Sequence, residues 1–191
     1  MATTETNRKA YCNALLDKQA PPAESLVLKT AWLDTNLGSM LAIADDTALY
    51  LLEFVEHKKV ERKIEQLRKK INVTFTPGRT AIIDLIEQEL NCYFAGTLEQ
   101  FQTPVALLGT PFQNSVWQTL QKIPYAQTWS YAQLAQAIGK PSAYRAVAQA
   151  NGANNLPIII PCHRVINTSG ALGGYSGGLH RKISLLSHEK R

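Results

Sequence analysis

The stretch SYAQLAQAIGKPSAYRAVAQANG, residues 130–152, governs the fold of the C-terminal half of the chain. Ser130 is a typical N-cap for a first helix, the Gly-Lys-Pro segment predicts a tight turn, and Ser142 predicts the cap of a second helix that ends near Gly152. Two short helices joined by such a turn form a helix-turn-helix pattern, which is common in DNA-binding proteins. The same pattern also fits helical hairpins that have no nucleic-acid role.

The second of these helices is unusual because small residues dominate it. Its one long basic side chain is Arg145, and alanine occupies positions 143, 146, 148 and 150. A helix with so little bulk is able to approach a groove wall closely, and a single arginine on it is long enough to reach into a base stack. These features favour contact with DNA.

Downstream, residues 156–166 read LPIIIPCHRVI. The run of isoleucines predicts a buried strand, because β-branched side chains fit a pleated surface that is covered on both sides. A cysteine nucleophile needs a base, and the base needs an orienting group: His163 follows Cys162 directly, and Glu189 is the only carboxylate after residue 103. A turn is expected at Cys162, since neighbours on a strand point to opposite faces. A buried inert cysteine beside a surface histidine is the alternative.

Composition and charge narrow the function classes. Hydrophobic residues make up 45% and charged residues 18% of the 191 residues, as in a folded protein with one core, or one core and a small appendage. No apolar segment approaches the roughly 18 residues of a membrane span, and the N-terminus lacks an apolar signal sequence. Together with an odd count of three cysteines, this predicts a cytoplasmic protein, nucleoid-associated if its source is bacterial.

Charge is distributed unevenly along the chain. Residues 104–191 contain eight Lys and Arg residues but one acidic residue, Glu189. This balance favours a polyanionic partner, although a basic surface that only aids solubility is the alternative. One Cys-His pair supplies too few ligands for a zinc site, so no metal is expected.

The chain is predicted to form three segments: a flexible polar leader over residues 1–25, an N-terminal α/β lobe over residues 26–103 and a C-terminal lobe over residues 104–191. In the N-terminal lobe, short apolar runs separated by Asp, Asn, Gly and Thr predict a small antiparallel sheet. Residues 97–112, which include two prolines, are typical of a linker between lobes.

Three helices are predicted outside the helix-turn-helix. One follows an apolar stripe at helical spacing, formed by Val60, Ile64, Leu67 and Ile71. A second covers residues 80–95, with Thr80 as its cap and Gly96 after its end. A third begins at Pro111, whose fixed φ suits a first helical position.

Beyond these local patterns, the chain contains an ordered series of longer motifs. They are GTPFQNSVW from Gly109, SYAQLA, YRAVAQAN, NNLPIIIPCHRVI, GYSGGLHRK and LLSHE. With PCHRV at residues 161–165, this series resembles that of the O6-alkylguanine-DNA alkyltransferases, also called methylated-DNA protein-cysteine methyltransferases. The resemblance implies an α+β fold, with an N-terminal RNase H-like α/β lobe that has an antiparallel sheet. A mostly helical C-terminal lobe would hold the helix-turn-helix and the active site.

The resemblance also implies a role for each matching catalytic residue. Cys162 would accept the alkyl group, His163 would be its water-linked base, and Glu189 would orient the histidine. Tyr131 would assist nucleotide rotation and donate to guanine N3. Asn154 would brace the turn between the recognition helix and the active-site segment.

Members of this family place the recognition helix in the minor groove of DNA. Arg145 would enter the duplex and fill the gap left by the flipped nucleotide. The other residues implied in DNA contact, besides Tyr131, are Ser142, Ala146, Gln149 and Ala150. The substrate pocket would be lined by Pro157, Val165, Tyr175 and Ser176. Ala148 stands where the family commonly has glycine, and its methyl group would alter the contact with DNA there.

The implied function is direct reversal of DNA damage. The alkyl group of O6-alkylguanine in double-stranded DNA would move irreversibly to Cys162, so each molecule would react once and need no cofactor. A monomer is expected. The sequence leaves four properties open: activity on O4-methylthymine, the preferred adduct, cooperative binding along DNA and membership of a larger fused regulator. The alternatives are a damage sensor that binds lesions without repairing them, against which Cys162 argues, and a cysteine hydrolase that uses Cys162, His163 and Glu189.

Overall fold

The computed structural model describes residues 2–17, 25–55 and 57–191. The chain divides into two compact units, and each unit consists of two separate segments of the chain. The first comprises Met1–Asn91 with Gln102–Leu108, and the second comprises Cys92–Phe101 with Gly109–Arg191. The predicted boundary after residue 103 is therefore corrected, because a short segment on each side of it belongs to the other unit.

The first unit is built on a four-stranded sheet with the order β3-β2-β1-β4. Its strands are β1 (Leu26–Leu33), β2 (Met40–Ala44), β3 (Leu49–Phe54) and β4 (Val73–Pro77). The first three strands are antiparallel, as predicted, whereas β4 runs parallel to β1. The α+β fold class is confirmed, but the sheet is mixed. The fourth strand was not predicted, because an alternation over only five residues is a weak signal.

Two helices of the first unit, α1 (Ala2–Leu16) and α2 (His57–Lys70), contribute to one hydrophobic cluster with the sheet. The predicted apolar stripe is confirmed at Val60, Ile64 and Leu67, which form the buried face of α2, whereas Ile71 follows the helix and is only partly buried. The prediction of a flexible leader is wrong over α1, because Cys12 and Leu16, one helical turn apart, are buried in the cluster. The rest of that prediction, residues 18–24, lies outside the described residues.

The third helix, α3 (Ala81–Phe94), begins and ends as predicted. The Thr80 hydroxyl accepts a hydrogen bond from the Ile83 N–H at 3.2 Å. The segment predicted as a linker is partly built into the first unit instead. The Leu49 N–H donates to the Pro104 carbonyl, and the Ala106 N–H donates to the Leu49 carbonyl, both at 2.9 Å. This pairing holds residues 104–106 against Leu49, the first residue of β3.

The second unit is mostly helical. It contains α4 (Pro111–Leu120), α5 (Tyr131–Ala137), α6 (Tyr144–Gly152) and α7 (Leu179–His188), with the parallel two-residue strands β5 (Trp129–Ser130) and β6 (Val165–Ile166). Helices α5 and α6 form the predicted helix-turn-helix, and α4 packs against both. No helix in the described part of the chain has the length and apolar character that crossing a membrane requires.

The N-termini of these helices test the predicted caps. Thr110 and Ser130 each form a complete capping box with the glutamine three residues later. Ser142 is not a cap: it lies in the 3₁₀ turn Pro141–Ala143, and α6 begins at Tyr144 without a side-chain cap. The turn places Ser142 in a helical conformation already, whereas an N-cap residue needs an extended backbone.

Candidate active site

The loop that leads to Cys162 is a series of tight turns. The Ile160 N–H donates to the Leu156 carbonyl at 2.9 Å, and the Cys162 N–H donates to the Ile160 carbonyl at 2.7 Å. Ile158 has a φ of +75°, a left-handed conformation that β-branched residues rarely adopt. The buried strand predicted at the run of isoleucines is therefore wrong. The segment is buried as expected, but its strained turn and flanking prolines are incompatible with a central strand.

Cys162 begins the 3₁₀ turn Cys162–Arg164, which confirms the turn expected at this position. The residue is 1% exposed, and its Sγ accepts a hydrogen bond from Asn154 Nδ2 at 3.1 Å. The same Nδ2 donates to the Ile160 carbonyl at 2.9 Å, and Asn154 Oδ1 accepts from the Leu156 N–H at 2.9 Å. One buried asparagine thus connects the thiol to the loop before it.

His163 and Glu189 form a buried pair. His163 Nε2 lies 2.7 Å from Glu189 Oε1, and neither side chain is more than 1% exposed. Burial lowers the pKa of His163 despite the carboxylate, so the imidazole is neutral near pH 7. An ionised carboxylate only accepts hydrogen bonds, so Nε2 holds the proton and Nδ1 is left as an acceptor. Nδ1 is buried and has no hydrogen-bond partner among the described residues.

The Glu189 carboxylate receives further donors. Arg164 donates to both of its oxygens, at 2.9 and 3.0 Å, and the Tyr93 hydroxyl donates to Oε1 at 2.8 Å. The Ala126 N–H donates to Oε2 at 3.3 Å. Burial alone raises the pKa of Glu189, but the hydrogen bonds from His163 and Arg164 outweigh it and lower the pKa to about 2. Glu189 is therefore an anion at any physiological pH.

A buried cation lies on another side of the loop. Lys182 on α7 is fully buried, and its Nζ donates to the Val165 carbonyl at 2.5 Å and to the Gly173 carbonyl at 3.3 Å. Burial lowers the pKa of Lys182, while the nearby Cys162 opposes that change. The ammonium thus connects the cysteine loop with the glycine-rich loop and favours negative charge on the sulfur.

Tyr131, the first residue of α5, lies against the glycine-rich loop. A Cβ on Gly173 would come within 2.6 Å of the Tyr131 hydroxyl oxygen. Burial and, to a lesser extent, Cys162 raise the pKa of Tyr131, so its hydroxyl stays protonated. A cavity of about 460 Å³ opens beside this contact. It is lined by Tyr131, Tyr144, Arg145, Ala148, Asn167, Leu172, Gly173 and Gly174.

The residues predicted to line the substrate pocket are not part of this cavity lining. Pro157 and Val165 are buried, and Tyr175 and Ser176 are partly exposed. Val165 takes part through its carbonyl, to which Lys182 donates. The cavity instead has a mouth formed by α6 and the loop after β6.

The predicted DNA-contacting residues on and before α6 divide into two groups. Ser142, Arg145, Ala146 and Gln149 are all exposed and share one face, since they follow i, i+3, i+4, i+7 spacing. Ala150 is 3% exposed, and its carbonyl accepts a hydrogen bond from Trp117 Nε1 at 2.8 Å. The prediction of Ala150 as a surface contact is therefore wrong, because it packs α6 onto α4.

Comparison with known proteins places these features in a family. The profile of the 6-O-methylguanine DNA methyltransferase DNA-binding domain matches residues 111–191. The methylated-DNA–protein-cysteine methyltransferase of Mycobacterium tuberculosis strain H37Rv is 48% identical over 129 residues, covering 68% of this chain and 78% of that protein. That of Shigella flexneri is 42% identical over 165 residues, covering 81% and 91%. The chain belongs to the methylated-DNA–protein-cysteine methyltransferase family.

Solved structures of this methyltransferase family are similar to most of the chain. The crystal structure of Mycobacterium tuberculosis OGT in complex with DNA is 39% identical, with a TM-score of 0.72, and the match covers 86% of this chain and 93% of that one. The O6-methylguanine-DNA methyltransferase of Pyrococcus kodakaraensis shares the fold at 22% identity and a TM-score of 0.60.

Sequence reasoning missed several groups around this methyltransferase site. Arg164 and Lys182 lie inside quoted motifs, but no role was predicted for either. Both are basic residues close to apolar residues in the sequence. A charge that is buried needs a partner, and this requirement is the signal that could have pointed to them. Tyr93 lies near the middle of the chain, before the first of the quoted motifs. Ala126 contributes only its backbone N–H, for which a side-chain pattern offers no signal.

Proposed function

We propose that the protein repairs alkylated DNA by direct reversal, and that Cys162 takes the alkyl group from O6 of a modified guanine and keeps it. The observation that carries the proposal is a buried cysteine beside a His163–Glu189 pair, in the same unit as a helix-turn-helix with an exposed arginine. Membership of the family supports the reaction class.

Proton transfer starts at the histidine. Neutral His163, which donates Nε2–H to Glu189, offers Nδ1 to the Cys162 proton through one bridging water. The resulting thiolate attacks the alkyl carbon in line, so that a C–S bond forms as the C–O6 bond breaks. The bonding pair leaves with the guanine ring, whose N3 accepts a hydrogen bond from the Tyr131 hydroxyl. The proton that His163 took from the thiol then passes through water to the ring, which restores the neutral imidazole. The net change moves the thiol proton to guanine, and no electrons are required from a cofactor.

The product is a thioether, and a carbon–sulfur bond of this kind is not hydrolysed under mild conditions. Nothing in the proposed chemistry regenerates the thiol. Each protein molecule therefore turns over once. The same argument makes the reaction stoichiometric, which separates it from a cysteine hydrolase that releases its product and starts again.

Access to O6 requires that the guanine leave the duplex. We place the exposed face of Ser142, Arg145, Ala146 and Gln149 in the minor groove, where its small side chains permit a close approach. Arg145 then occupies the gap left by the flipped nucleotide. Unstacking costs a few kcal/mol, and least for a damaged pair, so flipping itself contributes selectivity. Binding to undamaged DNA as a monomer is expected to depend mainly on phosphate contacts.

Intact mass spectrometry tests the proposal. The protein is incubated with a duplex that contains one O6-methylguanine, with Cys162→Ala as the matched control, and the products are mapped by peptide. One methyl group on the peptide that contains Cys162, stopping at one equivalent, is expected. Tight lesion binding without a mass change would indicate a damage sensor. Repeated ester hydrolysis by an unmodified protein would indicate a hydrolase, and either result overturns the proposal.

A further inference from the structure

Tyr144 is a bulky aromatic side chain on a helix that otherwise exposes mostly small ones. It is the first residue of α6 and is 46% exposed. Arg145 follows it and is also exposed, whereas the exposed Ala146 and the partly exposed Ala148 have small side chains. The bulk at the start of α6 is therefore concentrated in this Tyr-Arg pair.

The two side chains interact. The guanidinium carbon of Arg145 lies 5.6 Å from the centre of the Tyr144 ring, within the range of a cation–π contact. No salt bridge holds this guanidinium among the residues that the structure describes. The tyrosine ring is thus a specific constraint on where the arginine side chain points.

The pair also lines the cavity that opens beside the contact between Tyr131 and Gly173. Tyr144 and Arg145 line it together with Tyr131, Leu172 and Gly173. Leu172 is 37% exposed, so the cavity mouth has an apolar side chain as well as the Tyr144 ring. Under the proposed function, this is the mouth through which the flipped nucleotide enters as Arg145 replaces it in the duplex.

We propose that Tyr144 is a positioning residue for Arg145: its ring holds the guanidinium at the cavity mouth, so that the arginine enters the duplex as the nucleotide leaves. A free arginine side chain loses much rotamer entropy when it is fixed, and stacking on the ring removes part of that loss before DNA binds. This inference rests on the proposed function, and it concerns flipping rather than the chemical step.

The test compares two substrates in single-turnover reactions: a duplex with one O6-methylguanine, and free O6-benzylguanine base, which needs no flipping. For Tyr144→Ala, the ratio of the duplex rate to the free-base rate is expected to fall roughly fivefold, the size of a cation–π contact. Tyr144→Phe keeps the ring and should restore the ratio. In an Arg145→Ala background, Tyr144→Ala should cause no further fall. Ile183→Ala, which truncates a similarly exposed side chain on α7, is the matched control.

The outcomes separate this inference from the function on which it rests. If Arg145→Ala lowers the duplex-to-free-base ratio and Tyr144→Ala leaves it at the wild-type value, the role of Tyr144 is disproved while the proposed function stands. A fall that persists in the Arg145→Ala background, or that Phe does not restore, also disproves it. If the wild-type protein transfers no alkyl group from either substrate, the proposed function itself has failed.

Discussion

Glu189 is the residue on which the hydrogen bonds of the candidate site converge. His163, Arg164, Tyr93 and the Ala126 N–H all donate to its carboxylate. Arg164 balances the negative charge, so the carboxylate stays ionised without forcing a proton onto His163. The site therefore combines a permanent anion with a neutral base, which is the arrangement that removal of a thiol proton requires.

The same pKa changes predict how stability depends on pH. The folded-state pKa of His163 is lowered by burial, so below its ordinary value of about 6.5 the unfolded chain binds the additional proton and stability falls. Glu189 has a folded-state pKa of about 2 against an ordinary value of 4.5, so a second loss is expected as the pH falls between these values. Urea unfolding midpoints measured from pH 8 to pH 3 check both windows. His163→Gln should remove the loss of stability that begins below about pH 6.5. An unfolding midpoint that rises between pH 7 and pH 5 would contradict the buried, neutral state of His163.

Two neighbouring glycines offer a matched test of the Tyr131 contact. In Gly173→Ala, the new methyl group would lie 2.6 Å from the Tyr131 hydroxyl oxygen, so the ring must move. A Cβ on Gly174 would meet nothing within 4 Å. Gly173→Ala is expected to slow alkyl transfer on the order of ten- to a hundredfold, as displaced catalytic groups do, with little effect from Gly174→Ala. Equal rates for the two variants in single-turnover assays would show that Tyr131 does not act in transfer.

At the scale of elements, the helix-turn-helix shows what local patterns predict well. The turn, the two helices and the Ser130 cap follow from a few adjacent residues, since capping and helical periodicity act over one or two turns. Ser142 and Ala150 were misassigned because their roles depend on the 3₁₀ turn and on α4. The sequence alone does not show whether a serine before a helix caps it, or whether an alanine within a helix is buried or exposed.

This difference between the two serines is measurable. Ser130→Ala removes a complete capping box and should lower the free energy of unfolding by about 1 kcal/mol. Ser142→Ala removes no cap and should leave the free energy of unfolding within about 0.5 kcal/mol of the wild-type value. Urea denaturation of the two variants provides the comparison. A larger loss for Ser142→Ala than for Ser130→Ala would mean that α6 is capped differently from the structure.

At the scale of the whole molecule, charge separates the two parts of the chain. Residues 104–191 have eight basic residues and one acid, and that acid, Glu189, is buried and paired with Arg164. The surface of this part is therefore free of carboxylate side chains. Such a surface favours a polyanion at long range, independently of its sequence.

Salt dependence of DNA binding follows from this charge. The logarithm of the association constant for an undamaged duplex should fall linearly with the logarithm of the salt concentration. One phosphate contact contributes about 0.9 to the magnitude of this slope. Arg145→Ala should change the slope by less than that amount, because the proposed position of Arg145 is in the base stack and not on a phosphate. Fluorescence anisotropy at several salt concentrations measures the slope. A slope near zero in the wild-type protein would contradict electrostatic binding.

Local pattern was enough to predict the antiparallel strands of the first unit, the helix-turn-helix, the turn at Cys162 and the Cys162, His163 and Glu189 set. Each depends on neighbouring residues or on residue types that are rare in the chain. Tertiary packing alone decided that β4 pairs in parallel with β1, that α1 buries Cys12, and that Glu189 lies among Tyr93, Arg164 and His163. The physical reason is range. Periodicity and capping act over a few residues, whereas burial of a charge or closure of a sheet depends on groups that only folding brings together.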